Sequence, residues 1–216
     1  MMKIIGRLSS INVQKVIWCL GELGKVEGRD YERVDAGLHF GINNTPEYLR
    51  LNPTGLVPTL VDGDFVLWES NTIMRYLAAS LDTGSSGLWP ADLKARADSE
   101  RWMDWTLGNL WPALRPAFIG LTRTPQGQRN SVAIKAAYDD ATKQIKGLNG
   151  VLLKQPYCAG DDFTMGDIPT ALTVYRWMNL AKCFPEQLGT LPVYEGVMQW
   201  HKRFASRPAF MAIPAQ

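Results

Sequence analysis

The chain has 216 residues, 46% of them hydrophobic and 20% charged, with 23 Lys and Arg against 21 Asp and Glu for a formal charge of +2. That length allows one or two domains that each bury enough surface to fold without staples, and the composition excludes wholesale disorder. The near-neutral balance excludes a large basic surface for nucleic acid, and no apolar run approaches the roughly 18 residues of a membrane span.

Residues 3–6 read as a short buried strand. Residues 12–24 place Val13, Val16, Ile17, Leu20 and Leu23 at helical spacing, with Gly24 suited to close the helix. Residues 30–34 form a second strand. Thr45 and Pro46 read as N-cap and first residue of a helical turn. Residues 58–61 and 65–68 flank Asp62-Gly63-Asp64, a hairpin signal. Residues 70–81 return to helix, with Ser70 as N-cap and Ile73, Tyr76, Leu77 and Ala78 on one face. The order βαβαββα describes an α/β domain over residues 1–81 whose first strands are parallel.

Thr83-Gly84-Ser85-Ser86-Gly87 marks a linker, drawn at residues 82–89. Strand signals stop after it. Residues 91–110 read as a long helix carrying Ala97, Arg101, Trp102 and Trp105, which Trp111-Pro112 and Arg115-Pro116 are expected to break or kink. Residues 128–152 form another helix. An apolar segment runs from Thr164-Met165-Gly166-Asp167 to near Leu180, and residues 191–205 form a further helix with Pro192 near its start. Residues 90–216 therefore form an all-α domain.

Three N-terminal segments carry candidate chemistry. In Ser9-Ser10-Ile11-Asn12-Val13-Gln14-Lys15, a helix N-terminus offers unpaired N–H groups that favour an anion, and Ser10 or Asn12 can donate to a thiolate and lower a thiol pKa. Plain capping is the other reading of those residues. In Asn52-Pro53-Thr54-Gly55-Leu56-Val57-Pro58, a cis Val57-Pro58 bond would turn the Val57 backbone outward to pair with a peptide laid alongside; an ordinary turn is the alternative. In Trp68-Glu69-Ser70-Asn71, Ser70 at a helix start can cradle a carboxylate while Glu69 accepts from an ammonium, matching the two ends of an amino acid.

The order and spacing of these words resemble the soluble glutathione transferases, and within them the bacterial branch related to the theta and beta classes. Arg75-Tyr76-Leu77 and, in the second half, Phe163-Thr164-Met165-Gly166-Asp167 extend the match from residue 2 to about 210. The resemblance implies a thioredoxin-like N-terminal domain, an all-α helical C-terminal domain and a homodimer. It implies glutathione lying along Val57 and Pro58, its γ-glutamyl end at Glu69-Ser70 and its sulfur at the start of the first helix. Ser10 matches a serine that many members point at the sulfur, and Asn12 a position where some branches use asparagine. Both are present, so Ser10 is favoured as thiolate donor with Asn12 as partner or substitute.

His39, in the Gly-rich stretch 35–41, stands where members often contact the glycyl carboxylate; a surface histidine is the alternative. Leu56 departs from the lysine that many relatives carry, which shifts that carboxylate toward His39 or backbone amides. The electrophile site implied by the family draws on Trp102, Trp105, Trp111, Arg115, Phe118 and Trp177, whose aromatic walls suit an apolar co-substrate. Thr164 and Asp167 form a structural cap in which the threonine caps and the acid reaches back.

Cysteines 19, 158 and 183 form no CxxC or metal-spaced cluster, no metal site is indicated, and the N-terminal apolar stretch is too short for a secretory signal. A reduced, cytoplasmic protein follows. Cys19 reads as core, and no cysteine stands near position 10, where the resemblance implies the thiol of the family's cysteine-nucleophile branches, which disfavours disulfide exchange through an enzyme cysteine. The expectation is a glutathione transferase that uses glutathione as co-substrate with no other cofactor, and binds neither nucleic acid nor membrane. The alternatives are a glutathione-dependent peroxide or disulfide reductase or dehalogenase, and a non-catalytic glutathione- or hydrophobe-binding protein.

Overall fold

A four-stranded sheet of order β2-β1-β3-β4 organises the N-terminal part of the computed structural model, which describes residues 1–84 and 86–214. Strand β1 (Met2–Ile5) runs parallel to β2 (Tyr31–Val34) and antiparallel to β3 (Thr59–Asp62), which pairs antiparallel with β4 (Phe65–Trp68). Helices α1 (Ile11–Glu22), α2 (Pro46–Leu51) and α3 (Ser70–Leu81) are interleaved with the strands in the thioredoxin-like order βαβαββα.

Local chemistry sets most of these boundaries. Helix α1 ends in a Schellman arrangement: Gly24 takes a positive φ of 69°, its N–H bonds the Gly21 carbonyl, and the Lys25 N–H bonds the Leu20 carbonyl. Thr45 caps α2 by accepting from the Tyr48 N–H, with Pro46 behind it. Helices α1 and α3 pack against each other, burying Val13, Val16, Cys19 and Leu20 from one and Ile73, Met74, Leu77 and Ala78 from the other. Met74 takes the place on that face expected for Tyr76, which is half-buried and donates its hydroxyl hydrogen to Asp62 Oδ2.

Beyond α3, the Asp82 carboxylate accepts from the Gly84 and Ser86 N–H groups and from the Ser86 hydroxyl, so the linker stretch is anchored; Ser85 lies outside the described residues. Helices α4 (Leu93–Trp105) and α5 (Trp111–Thr122) follow, joined through a π-helical turn at Thr106–Leu110. Of the break or kink expected at Trp111-Pro112, the break is absent, since helix runs on through the π-helical turn into α5. The Trp111 N–H bonds the Thr106 carbonyl five residues back, and Pro112 falls in the first turn of α5, where a missing N–H costs least. Pro116 sits inside α5, and the helix continues through it.

Helices α6 (Ser131–Leu152), α7 (Asp167–Cys183), α8 (Pro185–Leu188) and α9 (Glu195–Ala205) complete this helical unit, and α5 and α7 both pack on α6. Pro192 precedes α9 rather than lying inside it, because the helix begins only at Glu195. Contacts divide the chain into two units, Met1–Ala91 together with the C-terminal segment from Ser206, and Asp92–Ala205. Helix α10 (Pro208–Met211) thus groups with the sheet unit, packed on α1 through Trp18 and Phe210. No helix among the described residues is long and apolar enough to cross a membrane.

Candidate functional site

One row of residues crosses the sheet. Val34 pairs with Ile5, Ile5 with Thr59, and Thr59 with Trp68. Every N-terminal segment singled out in the sequence leaves the sheet just beyond this row. Gly6 leads on to Ser10 and α1, Asp35 and Ala36 lead to the His39 loop, Val57-Pro58 precedes Thr59, and Glu69-Ser70 follows Trp68. Glycine makes the approach close: a Cβ on Gly6 would stand 2.5 Å from Val13 Cγ2 and 3.2 Å from Val57 Cβ. A Cβ on Gly37 would stand 2.5 Å from Arg7 Nη1 and 3.7 Å from Val57 Cγ1. The helix start, the His39 loop and Val57 therefore share one corner of the domain.

At the start of α1, Ser10 occupies the N-cap position with extended backbone, but its side chain makes no capping hydrogen bond. Its carbonyl accepts the first helical bond from the Gln14 N–H at 2.9 Å. Plain capping therefore does not account for this hydroxyl. Asn12 lies in the first turn, half-buried, and its Oδ1 accepts from Lys15 Nζ at 3.0 Å. No acidic residue stands in this turn. The orphan N–H groups of the helix start and the Ser10 and Asn12 side chains together make a donor-rich place for an anion.

The loop before β3 is held from below. Asn52 is buried; its Nδ2 donates to the Leu56 carbonyl and to Thr59 Oγ1, both at 3.0 Å, while its Oδ1 accepts from the Thr54 N–H and hydroxyl. The buried Tyr48 hydroxyl joins the same group through the Leu56 carbonyl and Thr59. The Val57-Pro58 peptide bond is cis, Pro58 is buried, and Val57 is half-buried. Tyr48 escaped the sequence reading: its role depends on a partner eleven residues on, which no local pattern announces.

Glu69, not Ser70, is the N-cap residue of α3, and its φ of 73° corrects the sequence assignment. A left-handed non-glycine residue costs roughly 1–3 kcal/mol and persists where the surroundings require it. Here it turns the chain sharply from β4 into α3. Ser70 becomes the first helical residue, buried, while Glu69 stays exposed beside it. His39 lies in a short 3₁₀ turn at Leu38–Phe40, exposed, with its ring 4.0 Å from that of Phe40. The loop folds back through a bond from the Gly37 N–H to the Gly41 carbonyl. Leu56 is 65% exposed, on the outer side of the Asn52 cluster.

The aromatic residues of the helical unit divide into pairs. Trp102 and Trp105 stand edge to face at 5.3 Å, and Trp111 and Phe118 lie 5.7 Å apart. Trp177 is fully buried, stacked on Tyr138 and Tyr194, and its Nε1–H donates to Thr142 Oγ1. That satisfied environment makes Trp177 a core residue and removes it from the pocket set. Arg115 is exposed.

Phe118 lines a cavity of about 80 Å³ with Arg176, Leu180, Cys183 and Phe184. The guanidinium of Arg176, which the sequence reading passed over, lies 5.1 Å from the Phe118 ring. Burial, with the charge of Arg123, pulls Arg176 down to about 10. Cys19 and Cys158 are buried, and burial pushes both thiols up, so neither is a nucleophile at neutral pH.

Asp167 is fully buried at the start of α7. Its carboxylate accepts from the Cys158 and Thr164 N–H groups and from Trp200 Nε1 at 2.9–3.0 Å. The acid reaches back to the Thr164 backbone, whereas the Thr164 hydroxyl points to the carboxylate rather than capping the helix.

Residues 3–79 match the family model for the glutathione S-transferase N-terminal domain. Over 211 residues the chain is 37% identical to glutathione S-transferase GstB of Escherichia coli (strain K12), covering 97% of this chain and 95% of the relative. It is 32% identical to glutathione S-transferase 3 of Zea mays, covering 97% and 91%. Among solved structures, the theta class glutathione S-transferase of Xanthomonas axonopodis pv. citri with glutathione bound superposes with a TM-score of 0.87 at 37% identity, over 100% of this chain and 98% of the other.

Proposed function

The chain belongs to the glutathione S-transferase family, and on that premise we propose that the rim beyond the Val34–Ile5–Thr59–Trp68 row binds glutathione and activates its thiol for attack on an apolar electrophile. The observation that carries this reading is the convergence of four segments on that rim, with two side-chain donors at the N-terminus of α1. The tripeptide runs along the Val57 backbone. Its γ-glutamyl carboxylate meets the Ser70 hydroxyl and the N–H groups of the α3 start, and its ammonium meets Glu69. Its glycyl end lies toward the His39 loop, because Leu56 offers no charge.

The thiol gives its proton to solvent. The resulting thiolate is held by the Ser10 hydroxyl, the Asn12 amide and the helix terminus, all of which favour the anion over the neutral thiol. The sulfur lone pair then forms a bond to the electrophilic carbon, and in a substitution the leaving group departs with its bonding pair. The rate gain comes from the larger thiolate fraction and from holding both reactants together. Trp102, Trp105, Trp111, Arg115 and Phe118 remain the residues proposed for the electrophile. Glutathione is the co-substrate of this reaction, which needs no further cofactor, and homodimer formation and residence in the cytoplasm belong to the same proposal.

The test is a glutathione titration by intrinsic fluorescence, followed by thiolate absorbance across pH on the saturated complex. A bound thiol pKa at least ~1 unit below the ~8.5 of a free thiol is expected, rising again in the Ser10→Ala, Asn12→Ala double variant. Binding with an unshifted thiol in the parent protein would leave a carrier rather than a transferase.

A further inference from the structure

We propose that Lys15 is a positioning residue for this reaction, orienting the Asn12 amide so that its N–H donors, not its carbonyl, face the bound sulfur. The inference rests on the reading of Ser10 and Asn12 given above and assigns a role to a residue outside that pair. Lys15 is 5% exposed and lies one helical turn after Asn12, with Nζ 3.0 Å from Oδ1. An ammonium has donors and no acceptor, so the Asn12 atom it touches is the carbonyl oxygen. The amide orientation therefore follows from chemistry rather than from the near-identity of oxygen and nitrogen in shape.

With its oxygen held, Asn12 has only its NH₂ group left to offer elsewhere. That group suits a thiolate, which accepts hydrogen bonds. The opposite orientation would present a carbonyl dipole to a negative sulfur and raise the thiol pKa instead of lowering it.

The placement of the charge points the same way. Lys15 stands in the second turn of α1, in a buried position and nearer the positive end of the helix dipole, the less favourable end for a cation. Both features become favourable once an anion is bound nearby. Lys15 thus couples the helix start to the charge state of the sulfur.

The experiment compares Lys15→Met, Lys15→Gln and Lys15→Arg by two readouts on the full chain. One is the thiol pKa of bound glutathione; the other is the affinity for S-methylglutathione, which has no ionisable thiol. Lys15→Met is expected to raise the bound thiol pKa by ~1 unit, a tenfold loss of thiolate at low pH, with S-methylglutathione affinity within about twofold of the parent. Lys15→Arg restores the low pKa, because it too has only donors.

If Lys15→Met fails to fold, Lys15→Gln keeps a donor without the charge and is expected to show a smaller rise. An unshifted thiol pKa in a folded Lys15→Met or Lys15→Gln protein overturns the proposal, as does an equal loss of both readouts in every variant. The Ser10→Ala, Asn12→Ala control separates the two levels. If it leaves the thiol pKa unchanged, the underlying thiolate reading fails; if it raises the pKa while Lys15→Met does not, only the role of Lys15 fails.

Discussion

Arg207 grips Glu22 through two hydrogen bonds, Nε to Oε1 at 2.8 Å and Nη2 to Oε2 at 2.7 Å. Trp18 Nε1 donates to the same Oε1. The pair spans 185 positions and fastens α10 to the end of α1, where Trp18 meets Phe210 at 4.8 Å and a Cβ on Gly21 would stand 2.8 Å from Ala209 Cβ. The helix that presents Ser10 and Asn12 at its first turn is thus pinned at its last turn by the far end of the chain.

Arg207→Ala should therefore lower the unfolding free energy by about 1.5–3 kcal/mol, since it strips a mostly buried carboxylate of two charge-assisted bonds. Arg207→Lys should recover only part, because a point charge cannot reproduce two parallel bonds. Urea denaturation followed by tryptophan fluorescence measures both. Stability unchanged in Arg207→Ala would mean the pair is incidental to α10 docking.

Gly6→Ala should be costly despite adding one methyl group. That methyl would sit 2.5 Å from Val13 Cγ2, so either the start of α1 or the Val57 loop must give way. Overpacking of this kind costs about 1–3 kcal/mol. Because both displaced segments border the proposed site, glutathione affinity should fall as well, and calorimetric titration of the folded variant reads that directly. Full affinity with normal stability would show that the corner yields more easily than its packing implies.

Asp167→Ala should destabilise the protein by about 3 kcal/mol or more, beyond the ~1–2 kcal/mol of a lost cap, because two buried backbone N–H groups and the Trp200 indole lose their acceptor, each at a cost of ~1–3 kcal/mol. The pH dependence has a definite sign. Burial raises the Asp167 carboxyl against the hydrogen bonds from Cys158, Thr164 and Trp200 that lower it. The folded chain then holds this proton to higher pH than the unfolded chain. The contribution is fully present below the unfolded value of ~3.9 and is lost as pH rises through the folded one. Relative to Asp167→Asn, the parent protein should therefore lose stability with rising pH above ~4, as denaturation midpoints at several pH values would reveal. A gain in that range would mean the hydrogen bonds outweigh burial.

Sequence alone determined what is settled within a few residues. The Thr45-Pro46 cap, the Asp62-Gly63 turn and the Gly24 terminator each act through neighbours one to five positions away, and each stands where its local chemistry puts it. The words around Ser10, Val57 and Ser70 were legible as candidates for the same reason. What made them a site is the pairing row from Val34 to Trp68, which aligns four distant segments, and no local preference encodes a register between strands.

Tertiary structure likewise decided three points that local preference did not. Glu69 rather than Ser70 caps α3, because the turn out of β4 demands a left-handed residue there. Trp177 is core rather than pocket, because Tyr138 and Tyr194 enclose it. Lys15 reaches Asn12 on a buried face whose burial arises only once the chain has folded around α1. Local signals act along the chain, whereas burial and long-range partners exist only after distant segments have met.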